Sequence, residues 1–383
     1  MTRRTTVPAV LAVLALAGCG GGEPAPGPTA PEPTTPAVMS APPTTVEATP
    51  GPAEETTAEP QEPQVLATGL DVPWAVDFLP DGSALVTERD TARVLHLVPG
   101  EAPRELATVP DVAADNESGL LGIAVSPGYA DTGRVFVYLT TSRDNRVLRM
   151  VHDGETLVPD TVVLDGIPRE TYHSGGRIAF GPDGHLYVAT GDAAVPSRSQ
   201  DPGSLAGKIL RVDEDGDVPA DNPRAGSPVW SLGHRNVQGL GWDAAGRMFA
   251  SEFGQDTWDE LNLVEPGGNY GWPVVEGVAG SDDFVEPLHQ WRPADASPSG
   301  VAVTDDAVYL AALRGESLWR VPLDGGEPQR LLHGEYGRVR DVAVAPDGRL
   351  WLLTSNTFRG EPAGDDDRVV AVDEAWLAAQ ADR

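Results

Sequence analysis

Six times along this chain an apolar run, a tight turn of Pro, Asp or Gly, and a second apolar run follow one another. The copies begin at Trp74-Ala75-Val76-Asp77-Phe78, turning at Pro80-Asp81-Gly82, and at Leu121 to Val125, turning at Pro127-Gly128. They continue at Arg177 to Phe180 with Pro182-Asp183-Gly184, and at Leu240 to Trp242 with Asp243 to Gly246. The last two are Gly300 to Val303 with Asp305-Asp306, and Val342 to Val344 with Pro346-Asp347-Gly348. Each copy has the signature of a β-hairpin. The turns lie about 40 to 60 residues apart, a period that suits one four-stranded blade with loops of variable length. The pattern predicts an all-β fold, a six-bladed β-propeller of four-stranded antiparallel blades, spanning residues 64–383. A β-sandwich also has many short strands but does not explain six equivalent hairpins. Helical periodicity is confined to a short stretch near Glu374 to Ala379.

The residues before the repeats read differently. Arg3 and Arg4 precede an apolar run from Val7 to Ala17, which ends in Leu16-Ala17-Gly18-Cys19. This is the form of a secretory signal over residues 1–18. Cys19 is the only cysteine, which excludes an internal disulfide framework, and its place after Leu-Ala-Gly resembles a bacterial lipobox. The expectation is a lipidated Cys19 and an exported protein anchored on the outer face of the cytoplasmic membrane, with no membrane-spanning helix after processing. Residues 19–63, rich in Pro, Thr, Ala and Glu, bury too little apolar surface to fold and read as a tether.

Charge narrows the partners. The chain has 58 acidic against 27 basic residues, a formal charge of −31, and Lys208 is its only lysine. Nucleic acid is excluded as a natural partner for so acidic a chain. The arginines inside the repeats therefore stand out.

Hairpin register places several of them. Residues facing each other across an antiparallel pair are set by the turn, so His173 opposes Asp192, both nine or ten residues from their turn. A strand of five or six residues ends before that point, which puts both in the loops at one rim. The same count pairs Arg235 with Gly254, and sends Arg338, Arg314 and Glu117 to the same end from three further blades. Charged residues gathered at a propeller mouth point to a ligand site. A His beside an Asp is an acid/base unit, the carboxylate holding the imidazole tautomer. His173 is the candidate base, and His234 is the rival. No serine nucleophile elbow, His-Glu-x-x-His pair, Gly-rich phosphate loop or cysteine cluster is present, so proton or hydride abstraction fits better than nucleophilic catalysis.

Taken in order, Tyr172-His173-Ser174-Gly175-Gly176-Arg177, Gly191-Asp192, Gly207-Lys208-Ile209-Leu210-Arg211, Gly233-His234-Arg235-Asn236-Val237-Gln238-Gly239, Ser251-Glu252-Phe253-Gly254, Gly267-Gly268-Asn269-Tyr270-Gly271-Trp272-Pro273 and Arg338-Val339-Arg340-Asp341-Val342 strongly resemble the soluble quinoprotein glucose and aldose sugar dehydrogenases. The likeness covers residues 65–372. It implies pyrroloquinoline quinone (PQQ) at the mouth with a calcium ion, and oxidation of the C1 hydroxyl of an aldose to the lactone. It further implies that His173 is the base, Asp192 its orienting partner, and that Arg235 polarises the quinone oxygen with Asn236 beside the cofactor. Arg314, Arg338 and Arg340 match basic positions for the cofactor carboxylates, Glu117 also falls at a cofactor position, and Gly254 and Gln255 would hold calcium through backbone carbonyls. Trp291 would line the sugar side. Glu117 stands where relatives often carry Gln, Tyr172 where the glucose enzyme has an acid, and Arg314 where it has Lys. Short loops favour the aldose sugar dehydrogenase branch, with electrons passing to an external quinone or cytochrome. A non-redox sugar-binding propeller and a calcium-dependent lactonase-type propeller are the alternatives.

Overall fold

The computed structural model describes residues 61–381; the signal, Cys19 and the tether up to residue 60 lie outside the described residues. Those described form six four-stranded antiparallel sheets, as the six repeats predict. Each repeat is the innermost hairpin of a blade. The six inner pairs are Pro73–Phe78 with Ala84–Glu88, Leu120–Val125 with Arg134–Thr140, Gly175–Phe180 with Leu186–Thr190, Val237–Trp242 with Met248–Glu252, Pro298–Val303 with Ala307–Ala312, and Val339–Val344 with Leu350–Thr354.

Second strands are buried along their whole length in blades 1, 3, 4, 5 and 6. A strand covered on both faces reads as a continuous apolar run rather than an alternating one, which is why the second half of each repeat is the more hydrophobic. Core side chains pack between neighbouring blades. Phe78 of blade 1, for example, meets Trp351 of blade 6 edge to face at 5.0 Å.

Two features go beyond the repeat pattern. Blade 6 takes its fourth strand from the start of the fold: Gln64–Ala67 pairs with Val369–Val372 and closes the ring. In blade 2 a helical turn, Tyr129–Thr132, is inserted in the hairpin, so the true centre lies beyond Pro127. Glu117 still reaches the rim because the strand after it starts only at Leu120. The C-terminal helix spans Glu374–Ala381. Among the described residues no helix is long and apolar enough to cross a membrane.

All six inner hairpins shift register by one residue close to the rim, at Pro73/Ala75, Leu120/Ile123, Gly175/Ile178, Val237/Gly239, Pro298/Val301 and Val339/Asp341. A bulge bends and twists its strand and re-aims the side chains that follow. Repeated six times at one end, it opens the mouth and turns residues from each first strand toward the axis.

Candidate functional site

His173 and Asp192 meet as the register predicts. Nδ1 of His173 lies 2.8 Å from Oδ1 of Asp192, with the carboxylate 1 % exposed. His173 is held in the left-handed backbone region at φ 57°, a conformation uncommon outside glycine and frequent at functional sites. Gly191 opposite has no room for a side chain, since a Cβ there would sit 1.8 Å from the His173 carbonyl oxygen. Asp192 also accepts the Ala194 N–H at 2.9 Å and, through Oδ2, the indole N–H of Trp272 at 2.9 Å. Both carboxylate oxygens are thereby committed and the orientation is fixed.

On the other side of the ring, Nη2 of Arg235 lies 2.8 Å from Nε2 of His173. A guanidinium only donates and an ionised carboxylate only accepts. The network therefore assigns one tautomer, with the proton on Nδ1 toward Asp192 and the lone pair on Nε2. That is the form a base needs. Arg235 also donates to the Phe253 carbonyl at 3.1 Å and lies over the Trp272 ring. Burial pushes its guanidinium below the ordinary value, with Asp192 and Glu252 opposing.

Beside this pair, blades 1, 4, 5 and 6 and the loop before blade 2 border a cavity of about 390 Å³ lined by Arg314, Arg338 and Arg340, as the offsets predict, and by Glu117. Arg89, Phe358 and Arg359 also line it, and these the repeat pattern does not single out. Arg89 follows the second strand of blade 1 directly, close to the position of Arg314 after the second strand of blade 5, so the offset was there to be read. Phe358 and Arg359 sit in the loop after blade 6, where no hairpin counts for them. Phe358 stacks under the Arg89 guanidinium at 3.8 Å.

The cations here are short of counter-charge. Nε of Arg338 and of Arg340 is buried with no hydrogen-bond partner among the described residues. Arg340 donates to the side chains of Gln238 at 2.7 Å and Ser299 at 3.2 Å, both neutral. Burial, then Arg89 and Arg338, push its guanidinium down to about 9. A guanidinium keeps its proton in proteins, so the depression reflects burial first and neighbouring positive charge second, a combination that a bound anion would relieve. Asn236 is buried, accepts the Gly175 N–H at 2.9 Å, and leaves Nδ2 unpartnered among the described residues. A larger cleft of about 890 Å³ lies at the turns of blades 4 and 5. Its arginines are already paired, Arg247 with Asp243 and Arg320 with Asp306, and it lies at the end away from His173.

Gln255 and Asp256 wall the space of about 400 Å³ in front of His173 and Arg235. Gly254 precedes them, its N–H donated to Asp259 at 2.9 Å. Trp291 does not join the mouth. It lies in the outer strand His289–Trp291 of blade 4, buried against Trp319 with ring centroids 5.5 Å apart, so its bulk serves packing between blades 4 and 5. The tryptophans at the site are Trp272, bonded to Asp192, and Trp74, which lines the arginine cavity under Arg340. His234 is fully buried, held between Glu252 and Ser231 at 2.8 Å each and stacked on Tyr270; it braces the loop that carries Arg235.

The sequence model of the glucose/sorbosone dehydrogenase family matches residues 70–360. The chain belongs to that family. As a glucose/sorbosone dehydrogenase family member it is an oxidoreductase. It is 50 % identical to the PQQ-bound form of aldose sugar dehydrogenase from Streptomyces coelicolor, with a TM-score of 0.79 over 82 % of this chain and 99 % of that one. It is 29 % identical to aldose sugar dehydrogenase YliI of Escherichia coli over 77 % of this chain and 90 % of that protein. It is 32 % identical to quinoprotein glucose dehydrogenase B of Acinetobacter calcoaceticus over 56 % of this chain and 52 % of that protein.

In this member of the family the wall beside His173 depends on the single lysine. Lys208 is fully buried, and its ammonium donates to the carbonyls of Arg198, Ser199 and Ala206 at 2.7 to 2.9 Å. It thus pins the turn Pro196–Gln200, whose Pro196 lines the His173 space. In Lys208→Met three buried acceptors lose their donor, and we expect a loss of about 3 kcal/mol of stability at pH 7 in denaturant unfolding. Burial pushes the ammonium down to about 8 from 10.5. The fold binds this proton less tightly than the unfolded chain, so stability from this group is present above 10.5 and lost as pH falls through 8. The gap between wild type and Lys208→Met should therefore widen from pH 8 to 10.5; a constant gap contradicts the assignment.

Proposed function

We propose that this protein oxidises aldose sugars at C1 to the lactone, passing hydride to calcium-bound PQQ and electrons onward to an external acceptor. The observation that carries the reading is the assigned tautomer of His173, its Nε2 lone pair held only by Arg235 at the space walled by Gln255 and Asp256, beside a cavity lined by under-compensated arginines. A flat tricarboxylate quinone fits that cavity in charge and in kind. Arg338 and Arg340 offer unpartnered guanidinium nitrogens for bidentate contact with carboxylates, and Arg314 adds a third cation. The donor set of the 254–255 loop, backbone carbonyls, suits a hard cation such as calcium.

When bound, PQQ supplies an electrophilic quinone able to accept hydride from the sugar carbon. The protein's own work is proton handling and orientation. His173 takes the C1 hydroxyl proton at Nε2, and Asp192 stabilises the resulting imidazolium through Nδ1. A sugar hydroxyl donating to Nε2 displaces Arg235 from that nitrogen, which leaves its Nη2 free to turn toward developing negative charge. Asn236 presents its spare N–H₂ on the same side. The sequence reading of Cys19 supports a lipid-anchored enzyme on the outer face of the cytoplasmic membrane.

The test is reconstitution of apo-protein with PQQ and calcium, followed by dye reduction with glucose. Absence of sugar-dependent turnover, or wild-type turnover in His173→Ala, overturns the enzyme reading. Glu117 provides a finer check. Its Oε1 accepts Arg359 at 3.1 Å and its Oε2 accepts the His173 N–H at 3.2 Å, so one cavity cation is already neutralised. In Glu117→Gln we expect PQQ to bind the apo-protein several-fold more tightly, about 1 kcal/mol, by fluorescence quenching; weaker binding speaks for a supporting role of the carboxylate instead.

A further inference from the structure

The loop at 254–258 is built around one oxygen atom. The backbone N–H groups of Gln255, Asp256, Thr257 and Trp258 all donate to Oε1 of Glu276, at 2.6, 3.0, 2.9 and 3.2 Å. Glu276 comes from the long connection between the third and fourth strands of blade 4, Asp259–Val264 and His289–Trp291. Successive N–H groups converging on one anion form a concave nest. The wrap is tight enough to exclude any side chain at Gly254, where a Cβ would meet the Trp258 carbonyl oxygen at 1.7 Å and Glu276 Oε1 at 2.7 Å.

This arrangement fixes where the carbonyls point. In a trans peptide the C=O of one residue and the N–H of the next are antiparallel, and the 254–255 and 255–256 bonds are not among the cis bonds of the chain. With the Gln255 and Asp256 N–H groups aimed at Glu276, the carbonyls of Gly254 and Gln255 face the opposite way. On the Proposed function reading, those two carbonyls take the calcium ion, beside the space shared by Gln255, Asp256, Arg235 and His173.

We propose that Glu276 is the positioning residue of the metal loop: by gathering four N–H groups on one side it preorganises the Gly254 and Gln255 carbonyls as cation ligands on the other. Without that anchor the peptide planes at 254–256 rotate freely, and the cation must order them on binding. Glu276 does not line the space in front of His173, and its role runs through the backbone N–H groups it holds. The inference rests on the calcium assignment, so its test reads the loop and the metal separately.

The full-length apo-protein is titrated with calcium alone by calorimetry, and amide hydrogen exchange is followed at 255–258. Glu276→Ala should bind calcium ~10- to 100-fold more weakly and lose exchange protection at those amides, with the melting temperature close to wild type. Glu276→Gln keeps a neutral oxygen acceptor and should fall between the two on both readouts; it also serves as the decisive variant if the alanine protein does not fold. Unchanged affinity, or weakened affinity with protection intact, overturns the positioning role. Failure of the wild type to bind calcium overturns the calcium assignment itself, and the inference with it.

Discussion

His173→Gln lowers sugar-dependent turnover of the PQQ-loaded protein on the order of 10³-fold, the range expected for removal of a general base. Glutamine keeps the approximate size of the ring and a polar end, so cofactor loading and the sugar KM should stay near wild type while kcat collapses. The structure adds a sharper version of the test. In Asp192→Asn the amide can donate to Nδ1, which moves the imidazole proton to Nε2, where it would confront the N–H of Arg235 now 2.8 Å away. Trp272 would keep a carbonyl oxygen to donate to, while the Ala194 N–H, which shares Oδ1 with His173, would lose its acceptor. We therefore expect Asp192→Asn to lose at least ~10²-fold in kcat, with a loss of about 1 kcal/mol in stability from the one donor left unmatched. Steady-state kinetics with glucose and thermal unfolding of each variant decide it. Wild-type kcat in Asp192→Asn would show that the tautomer is irrelevant.

Arg340→Met gives the second large effect, on the cofactor. A fully desolvated guanidinium facing an anion is worth about 3 kcal/mol or more when removed, so PQQ affinity should fall ~100-fold. Stability should move the other way or not at all. Arg340 is buried among other cations, with Arg89 and Arg338 opposing its charge, and methionine removes that repulsion at the expense of one bond each to Gln238 and Ser299. The apo-protein should melt at or above the wild-type temperature. A melting temperature that drops in step with affinity would mean that Arg340 is a structural support. Arg340→Lys should recover only part of the affinity, because an ammonium lacks the planar fork.

Much of this site was legible in the sequence because a propeller converts position along a repeat into position on a rim. His173, Asp192, Arg235, Arg314 and Arg338 all lie a fixed distance from a hairpin turn, and counting was enough to bring them together. The count succeeded even though each inner hairpin contains a bulge, since the one-residue shift occurs at the same place in every blade. Counting fails where the chain leaves the hairpins. Phe358, Arg359 and Glu276 sit in connections whose length obeys no repeat, and Trp272 reaches Asp192 from a loop 80 residues away. Trp291 shows the opposite error. This aromatic residue lies in an outer strand, where it is buried against Trp319 of the next blade.

Closure of the ring has a consequence for how the site comes into being. The pairing of Gln64–Ala67 with Val369–Val372 joins the first and last strands of the fold, so the seam is the strand pairing of greatest sequence separation and carries the largest loop-closure penalty of any pairing. Arg338 and Arg340 belong to the blade that this seam completes. A chain truncated before Val369 therefore lacks the neighbour that holds those arginines in place, even though most of the cavity wall has been made. Cofactor retention is then a readout of finished assembly: a circle with its clasp undone has no socket to fill.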